Sequence, residues 1–371
     1  MSEFYIQGVP YSFAEIEKLA QDDFTLQRIQ TMPSNLYKYF SNTIDLESGR
    51  NYSKEALENN TVYLQQPFLF DDPYDSTILI DEQEFAHRRI AYYARICGLE
   101  ILPEWDYSKI AYEFSCYLYE KLMSGEQLAD TFPTIFHSKD MLELRHENFA
   151  LNLQIGLHEF CQSPNAWGQA FHKAIHQEYT NLLSGLIQKF RISCFTESPY
   201  SMLMWAYYAN NHKGFCIEYE IPSYTEPYIQ LYHNLMPVIY SDERISVLNQ
   251  CIRFLQEPGM TPDVLWDIYK YGLLMKDTAW KYQNEWRLIS YDDMLSNDNF
   301  YNCRFFKIKR VFLGNRMTVS DRMKIISICK DKKIPYTGVT VASDKYRMVD
   351  CEQLCEACPK LAYSKKVFES P

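Results

Sequence analysis

Residues 215–221 read Phe215-Cys216-Ile217-Glu218-Tyr219-Glu220-Ile221, and their alternation decides the class of fold. Successive side chains of a strand point to opposite faces, so Phe215, Ile217, Tyr219 and Ile221 share one face while Cys216, Glu218 and Glu220 share the other. The spacing predicts a β-strand. Just before it, Ser198-Pro199 reads as a helix start, with Ser as the cap and Pro in the first turn, and Gly214 is placed to end that helix. Arg191 to Phe195 reads as a strand leading into it.

Working outward, strand signals recur at Leu36 to Phe40, Thr61 to Leu64, Glu285 to Ser290, Arg304 to Leu313 and Tyr336 to Ala342. Helical spacing marks Ser12 to Ile29, Ser241 to Gln256, Pro262 to Lys281 and Ser320 to Lys332. From about Asp81 to Lys189 the pattern is helical throughout, with runs around Glu84 to Cys97, Tyr107 to Leu122, Lys139 to Cys161 and Ala166 to Phe190. The expected architecture is α+β, a discontinuous β core assembled from chain segments on both sides of a large helical insertion. The expected boundaries are 1–80 and 191–350 for the two parts of the core, 81–190 for the insertion and 351–371 for a C-terminal tail.

Composition narrows the function classes. The chain of 371 residues has a net charge of -11, which argues against a protein built mainly to coat nucleic acid or anionic membrane. It holds 12 Gly, and neither G-x-G-x-x-G nor G-x-x-x-x-G-K-[ST] occurs, so Rossmann and P-loop nucleotide binding lose their main support. Aromatic residues make up 16% of the chain and serve the core first, a ligand site second. Residues 1–13 carry neither a basic n-region nor an apolar run, and no stretch approaches bilayer-spanning length, so a cytoplasmic protein with no membrane association is expected. The 11 Cys are scattered and read as reduced thiols.

Two spacings invite a metal reading. His172 and His176 lie one helical turn apart, but the interior Glu of a zinc-protease motif is absent, and a solvated helix face explains them. Cys351, Cys355 and Cys358 fall on one helical face without a partner Cys pair nearby, and small packing residues explain them as well as ligands do. No metal is expected.

Five motifs together carry a resemblance. They are Leu36-Tyr37-Lys38-Tyr39; Phe70-Asp71-Asp72-Pro73-Tyr74-Asp75; Ser193 to Ser198 running through Trp205-Ala206-Tyr207-Tyr208 to His212-Lys213-Gly214 and Tyr219; Lys276 to Arg287; and Val311 to Met317. In order and spacing they resemble DUF2971, a bacterial domain of unknown function. A weaker similarity points to ADP-ribosyltransferases: an early strand with an aromatic-basic motif, a middle strand followed by a Tyr- and Trp-rich helix, and a late strand with Glu two positions after Gln or Glu. That similarity implies an ADP-ribosyltransferase-like fold and an NAD-consuming enzyme with NAD as substrate. The DUF2971 late motif usually reads Glu-x-Glu-Trp-Arg, whereas this chain has Gln283-Asn284-Glu285-Trp286-Arg287.

On that late strand, period-2 geometry places Gln283, Glu285 and Arg287 on one face and Trp286 and Leu288 on the other. The resemblance implies that Glu285 stabilises an oxocarbenium-like ribose, with Gln283 and Tyr208 as further catalytic candidates. Tyr37, Lys38, Tyr39, Trp205, Lys276 and Arg287 are the candidates for binding NAD, the three cations being suited to a pyrophosphate. Each has a plainer alternative. Glu285 and Arg287 also fit a solvated pair on an edge strand. Trp205, Tyr208 and His212, at i, i+3 and i+7 of the expected helix, form either a stacking face or core. Alternation sends Tyr37 and Tyr39 one way and Lys38 the other, so the tyrosine pair and the lysine do not readily reach one ligand together.

Two functions from different classes follow. The first is an ADP-ribosyltransferase or NAD glycohydrolase, a toxin or phage-defence effector by analogy, whose acceptor is protein, nucleic acid or water. The second is a non-enzymatic nucleotide-sensing or protein-interaction module, with a protein partner held through the helical insertion. A nuclease is disfavoured by the acidic balance and the lack of a metal-binding carboxylate cluster.

Overall fold

The computed structural model describes residues 3–19, 31–124, 175–183, 185, 190–222, 229–256, 262–291 and 302–351. The expected helices around Lys139 to Cys161 and Ala166 to 174 lie outside these residues, as do Cys355 and Cys358. In chain order the strands are β1 (Phe4–Ile6), β2 (Val9–Tyr11), β3 (Asn35–Phe40), β4 (Thr61–Tyr63), β5 (Phe190–Thr196), β6 (Phe215–Glu220) and β7 (Leu235–Pro237). They continue with β8 (Ile239–Tyr240), β9 (Met275–Lys276), β10 (Glu285–Tyr291), β11 (Asn302–Arg304), β12 (Ile308–Leu313), β13 (Tyr336–Val341) and β14 (Met348–Asp350).

The chain divides into two compact units. One comprises Met1–Leu69, Phe190–Asp242 and Lys276–Pro371. Its main sheet has eight strands in the order β14-β13-β12-β6-β3-β5-β10-β7. All described pairings are antiparallel except β12 with β13, which are parallel and joined by the Val319–Asp331 helix. Thr318 caps that helix by accepting from the backbone N–H of Asp321. A β-rich unit assembled from separated chain segments agrees with the α+β expectation.

The sheet is covered on both faces, which explains why the alternation in β6 is chemical rather than a contrast of buried and wet. Leu36, Phe195, Ile217, Tyr219, Trp286, Leu288 and Val311 form a core on one face with Ile325, Ile326 and Cys329 of the Val319–Asp331 helix. On the other face Tyr39, Cys216 and Phe312 pack with Met204, Trp205, Val339 and Met348. Glu218, expected on a polar face, is 3% exposed. It is tolerated there because Lys309 and Arg310 reach its two carboxylate oxygens, at 3.1 and 3.4 Å.

Several expected boundaries shift for identifiable reasons. The helix expected from Ser198 runs only over Met202–Tyr207, with Ser201 as its cap. Asn210, Asn211 and His212 all adopt positive φ and reverse the chain before β6. Gly214 therefore does not end a helix; it permits a close crossing, since a Cβ there would lie 1.9 Å from the carbonyl oxygen of Phe40. The expected strand from Arg304 to Leu313 splits into β11 and β12, because Phe305 and Phe306 turn into the core between them. The helix expected to reach Lys281 stops at Leu273. Beyond it β9 joins β8, and a 3-10 turn, Thr278–Gln283, leads into β10.

The second unit comprises Phe70–Lys189 and Glu243–Met275. It is helical, with Glu82–Ile96, Tyr107–Met123, 175–183, Leu248–Gln256 and Pro262–Leu273. Buried Arg89 ties two of these helices by donating to Glu178 at 3.1 Å and to the Tyr93 hydroxyl at 2.6 Å. The helix expected from Ser241 begins only at Leu248, because Ser246 first bridges to Leu79. Among the described residues no helix is long and apolar enough to cross a membrane.

Candidate functional site

Strand register brings the candidate residues into rows. Directly opposed residues of an antiparallel pair point to the same face. Glu285 pairs with Thr196, Thr196 with Tyr37, Tyr37 with Glu218, and Glu218 with Arg310. The neighbouring row contains Arg287 opposite Cys194, and Tyr39 opposite Cys216 opposite Phe312. Tyr37, Tyr39, Glu285 and Arg287 thus share one face of the sheet, and Lys38 belongs to the other.

Glu285 opens β10 and is 4% exposed. Its Oε1 accepts from Arg287 Nε at 2.7 Å and its Oε2 from Lys276 Nζ at 2.6 Å. The backbone N–H of Glu285 donates to the Tyr240 hydroxyl at 2.8 Å. Burial opposes ionisation, but the Arg287 and Lys276 charges outweigh it and hold the carboxyl at about 2. Because β5 and β7 flank β10, the strand is not an edge and the pair with Arg287 is not solvated.

Lys276 is the hub of the cluster. Its ammonium also donates to Gln283 Oε1 at 2.8 Å and sits 5.2 Å from the Trp280 ring centroid. Asn284, with φ 42, turns the chain between the 3-10 segment and β10, so Gln283 and Glu285 reach the same lysine although only Glu285 is in the strand. Gln283 Nε2 in turn donates to the Tyr208 hydroxyl at 2.7 Å. Tyr208 is 37% exposed, and burial of its hydroxyl pushes it up to about 12. A continuous chain of contacts therefore runs from a partly exposed phenol to a buried, ionised carboxylate.

Other candidates fall differently. Trp205 is 0% exposed, donates from its indole to the Pro199 carbonyl at 2.7 Å, and packs edge-on to Tyr39 and parallel to His212. Its stripe is core. His212 reaches it through the chain reversal rather than along a helix. Tyr39 is buried too, and its hydroxyl donates to the Ser198 carbonyl at 3.0 Å. Tyr37 is half-buried beside Phe312, its hydroxyl pushed up first by burial and then by Glu218. Lys38 donates to the Cys194 carbonyl at 3.0 Å and lies over the Phe195 ring, so it does not join Lys276 and Arg287; burial lowers its pKa.

The motif reading missed Tyr240, Trp280, Tyr282 and Glu197. Trp280 and Tyr282 flank Lys281 in the late motif and their rings lie 6.1 Å apart, so an aromatic rim beside Gln283 was there to be read. Glu197 accepts from the Trp286 indole at 2.8 Å, fixing β10 from its other face. Tyr240 carries no local signal of its role. Among the described residues no group of three or more His, Cys, Asp or Glu side chains is placed to hold a metal ion.

Residues 204–288 match the family model DUF2971, a protein of unknown function. That stretch contains Trp205, Tyr208, Lys276, Gln283, Glu285 and Arg287, and it supports the family resemblance; β3 with Tyr37, Lys38 and Tyr39 lies outside it. No curated protein and no solved structure matches the chain.

Proposed function

We propose that the Glu285 face of the sheet binds NAD and cleaves its nicotinamide–ribose bond, as an ADP-ribosyltransferase or NAD glycohydrolase with an ADP-ribosyltransferase-like fold would. The observation that carries this reading is the buried Glu285 carboxylate, held ionised and linked through Lys276 and Gln283 to the partly exposed Tyr208 hydroxyl. In the reaction the N-glycosidic bond breaks, its electron pair neutralises the pyridinium nitrogen, and positive charge develops on the ribose. A fixed carboxylate binds that charge better than the ground state. Lys276 is shared between Gln283 and Glu285, so a pyrophosphate that draws the ammonium away from Oε2 leaves Glu285 Oε2 open to the ribose. Water or an acceptor nucleophile then captures the cation. The role of a cytoplasmic toxin or phage-defence effector rests on the resemblance alone.

One observation favours a nucleotide-sensing module instead: both oxygens of Glu285 are already engaged by cations. If Lys276 stays in place, the face binds without turnover. Incubating the full chain with NAD labelled in the nicotinamide, and following both bound and released label, separates the two. Release that disappears in Glu285→Asp, a variant that keeps the charge but withdraws it by about one methylene, supports the enzyme. Stoichiometric binding with no release leaves the sensing module, and no binding at all rejects both.

A further inference from the structure

The helix Met202–Tyr207 is apolar all round. None of its side chains carries a charge, and its two polar groups are the Trp205 indole, which donates to the Pro199 carbonyl, and the Tyr207 hydroxyl. One side is core, where Met204 and Trp205 pack with Tyr39, Phe312 and Met348. The other side is bare: Leu203 is 45% and Tyr207 67% exposed, with Met202 and Tyr200 exposed beside them. A helix at a surface ordinarily turns charged and polar residues outward, whereas one that is apolar on every side is a buried helix. An apolar face left open in this way marks a contact surface.

The neighbouring strand shows which part of the chain lies within reach. β14 is the edge strand of the eight-stranded sheet, in the same compact unit as the helix, and it runs past the start of that helix. The Met348 N–H donates to the Tyr200 carbonyl at 3.4 Å, and the Tyr200 hydroxyl donates to Asp350 Oδ1 at 3.0 Å. The chain therefore leaves β14 at the foot of the apolar face, with residues 352–371 still to follow. Their sequence suits an uncharged, apolar seat. Leu354, Leu361 and Phe368 are large apolar side chains, and the three Glu of the segment balance its three Lys. Leu354 comes within roughly 10 Å of extended chain after Cys351, about the length of the helix itself.

We propose that residues 352–371 fold back within the same chain and cover the exposed face of the Met202–Tyr207 helix, seating Leu354, Leu361 and Phe368 against Leu203 and Tyr207. Tyr208 follows directly on the helix and its hydroxyl accepts from Gln283, so the covering segment borders the Glu285 cluster. The cover rests on the apolar face and on where β14 ends, and it is independent of the ligand read above.

Photo-cross-linking on the full chain tests this. The substitution Tyr207→p-benzoyl-Phe puts a benzophenone on the exposed face, and the products are sized on a denaturing gel and mapped by mass spectrometry. A product of single-chain mass that joins position 207 to a peptide within 352–371 is expected. The same probe in a chain carrying Leu354→Asp, Leu361→Asp and Phe368→Asp is expected to give less of that product by about tenfold or more, because three apolar anchors become charges. Thermal melts check the fold of both chains. Where the probe at 207 lowers the melt, Leu203→p-benzoyl-Phe takes its place; where the Asp variant melts lower, Ser replaces Asp at the same three positions.

A product of two-chain mass overturns the proposal in favour of a face shared between two copies. Single-chain products that join position 207 only to residues outside 352–371, or no product at all, overturn it as well. So does an undiminished yield in the folded anchor variant.

Discussion

Removing the Glu285 carboxylate should damage the fold as well as any chemistry. The side chains of Glu285, Lys276 and Arg287 are 3%, 6% and 0% exposed. Glu285→Gln leaves two buried cations facing an amide, and breaking a buried ion pair from one side costs about 3–5 kcal/mol. The same two cations outweigh the cost of burial and hold the carboxyl below its ordinary value, so this stabilisation is present at neutral pH. Lys276→Met breaks the same cluster from the other side, taking the donor from both Glu285 Oε2 and Gln283 Oε1 while Glu285 stays paired with Arg287, for about 3 kcal/mol. In the double variant one cation and the carboxylate leave together, so its loss should fall short of the sum of the singles by about 2 kcal/mol. Urea unfolding at pH 7 measures all four proteins, provided the slope with denaturant is the same for each. A loss below about 1 kcal/mol for Glu285→Gln, or additive singles, would refute the reasoning, because that is how a solvated pair behaves.

Two further outcomes follow from the same geometry. The folded-state pKa of Glu285 is depressed, so its stabilisation is complete above about pH 4.5 and is lost as pH falls toward about 2; wild-type stability should drop across that window, and the Glu285→Gln profile should lack this component. Trp205→Ala removes a fully buried indole and should cost about 3–5 kcal/mol in urea unfolding, while the NAD affinity of the remaining folded protein stays unchanged; a weakened affinity at full stability would restore Trp205 as a stacking platform.

Much of the fold was legible because strand periodicity is a local property. Phe215 to Ile221, Leu36 to Phe40 and Glu285 to Ser290 each announce a strand without knowing their neighbours, and β6, β3 and β10 lie there within a residue or two. The pairing order was not legible, since nothing local says that β3 inserts between β5 and β6. Burial of both sheet faces was hidden as well. Glu218 reads as solvent-facing in the sequence, and it is inside only because Lys309 and Arg310 from another strand meet it. The helical pattern after Pro262 carried too far for a related reason: periodicity cannot see that Lys276 will be claimed by a sheet through the bond from the Ser241 N–H to its carbonyl.

That last error bears directly on the site. On a helix, Lys276 would be one of several cations at the surface, related to Glu285 only by a motif. On β9 it is fixed by backbone hydrogen bonds, and its ammonium reaches both the amide and the carboxylate of the late motif. The spacing of Gln283 and Glu285 then has a physical reason that strand alternation alone did not supply. Asn284 takes a left-handed turn, Gln283 stays in the 3-10 segment, and the two side chains converge on one cation instead of standing side by side along a strand. A Glu in place of Gln283 would give Lys276 two carboxylates and take from Tyr208 its donor. The amide at position 283 therefore sets the direction of its bond to the partly exposed tyrosine: Gln283 donates and the Tyr208 hydroxyl accepts.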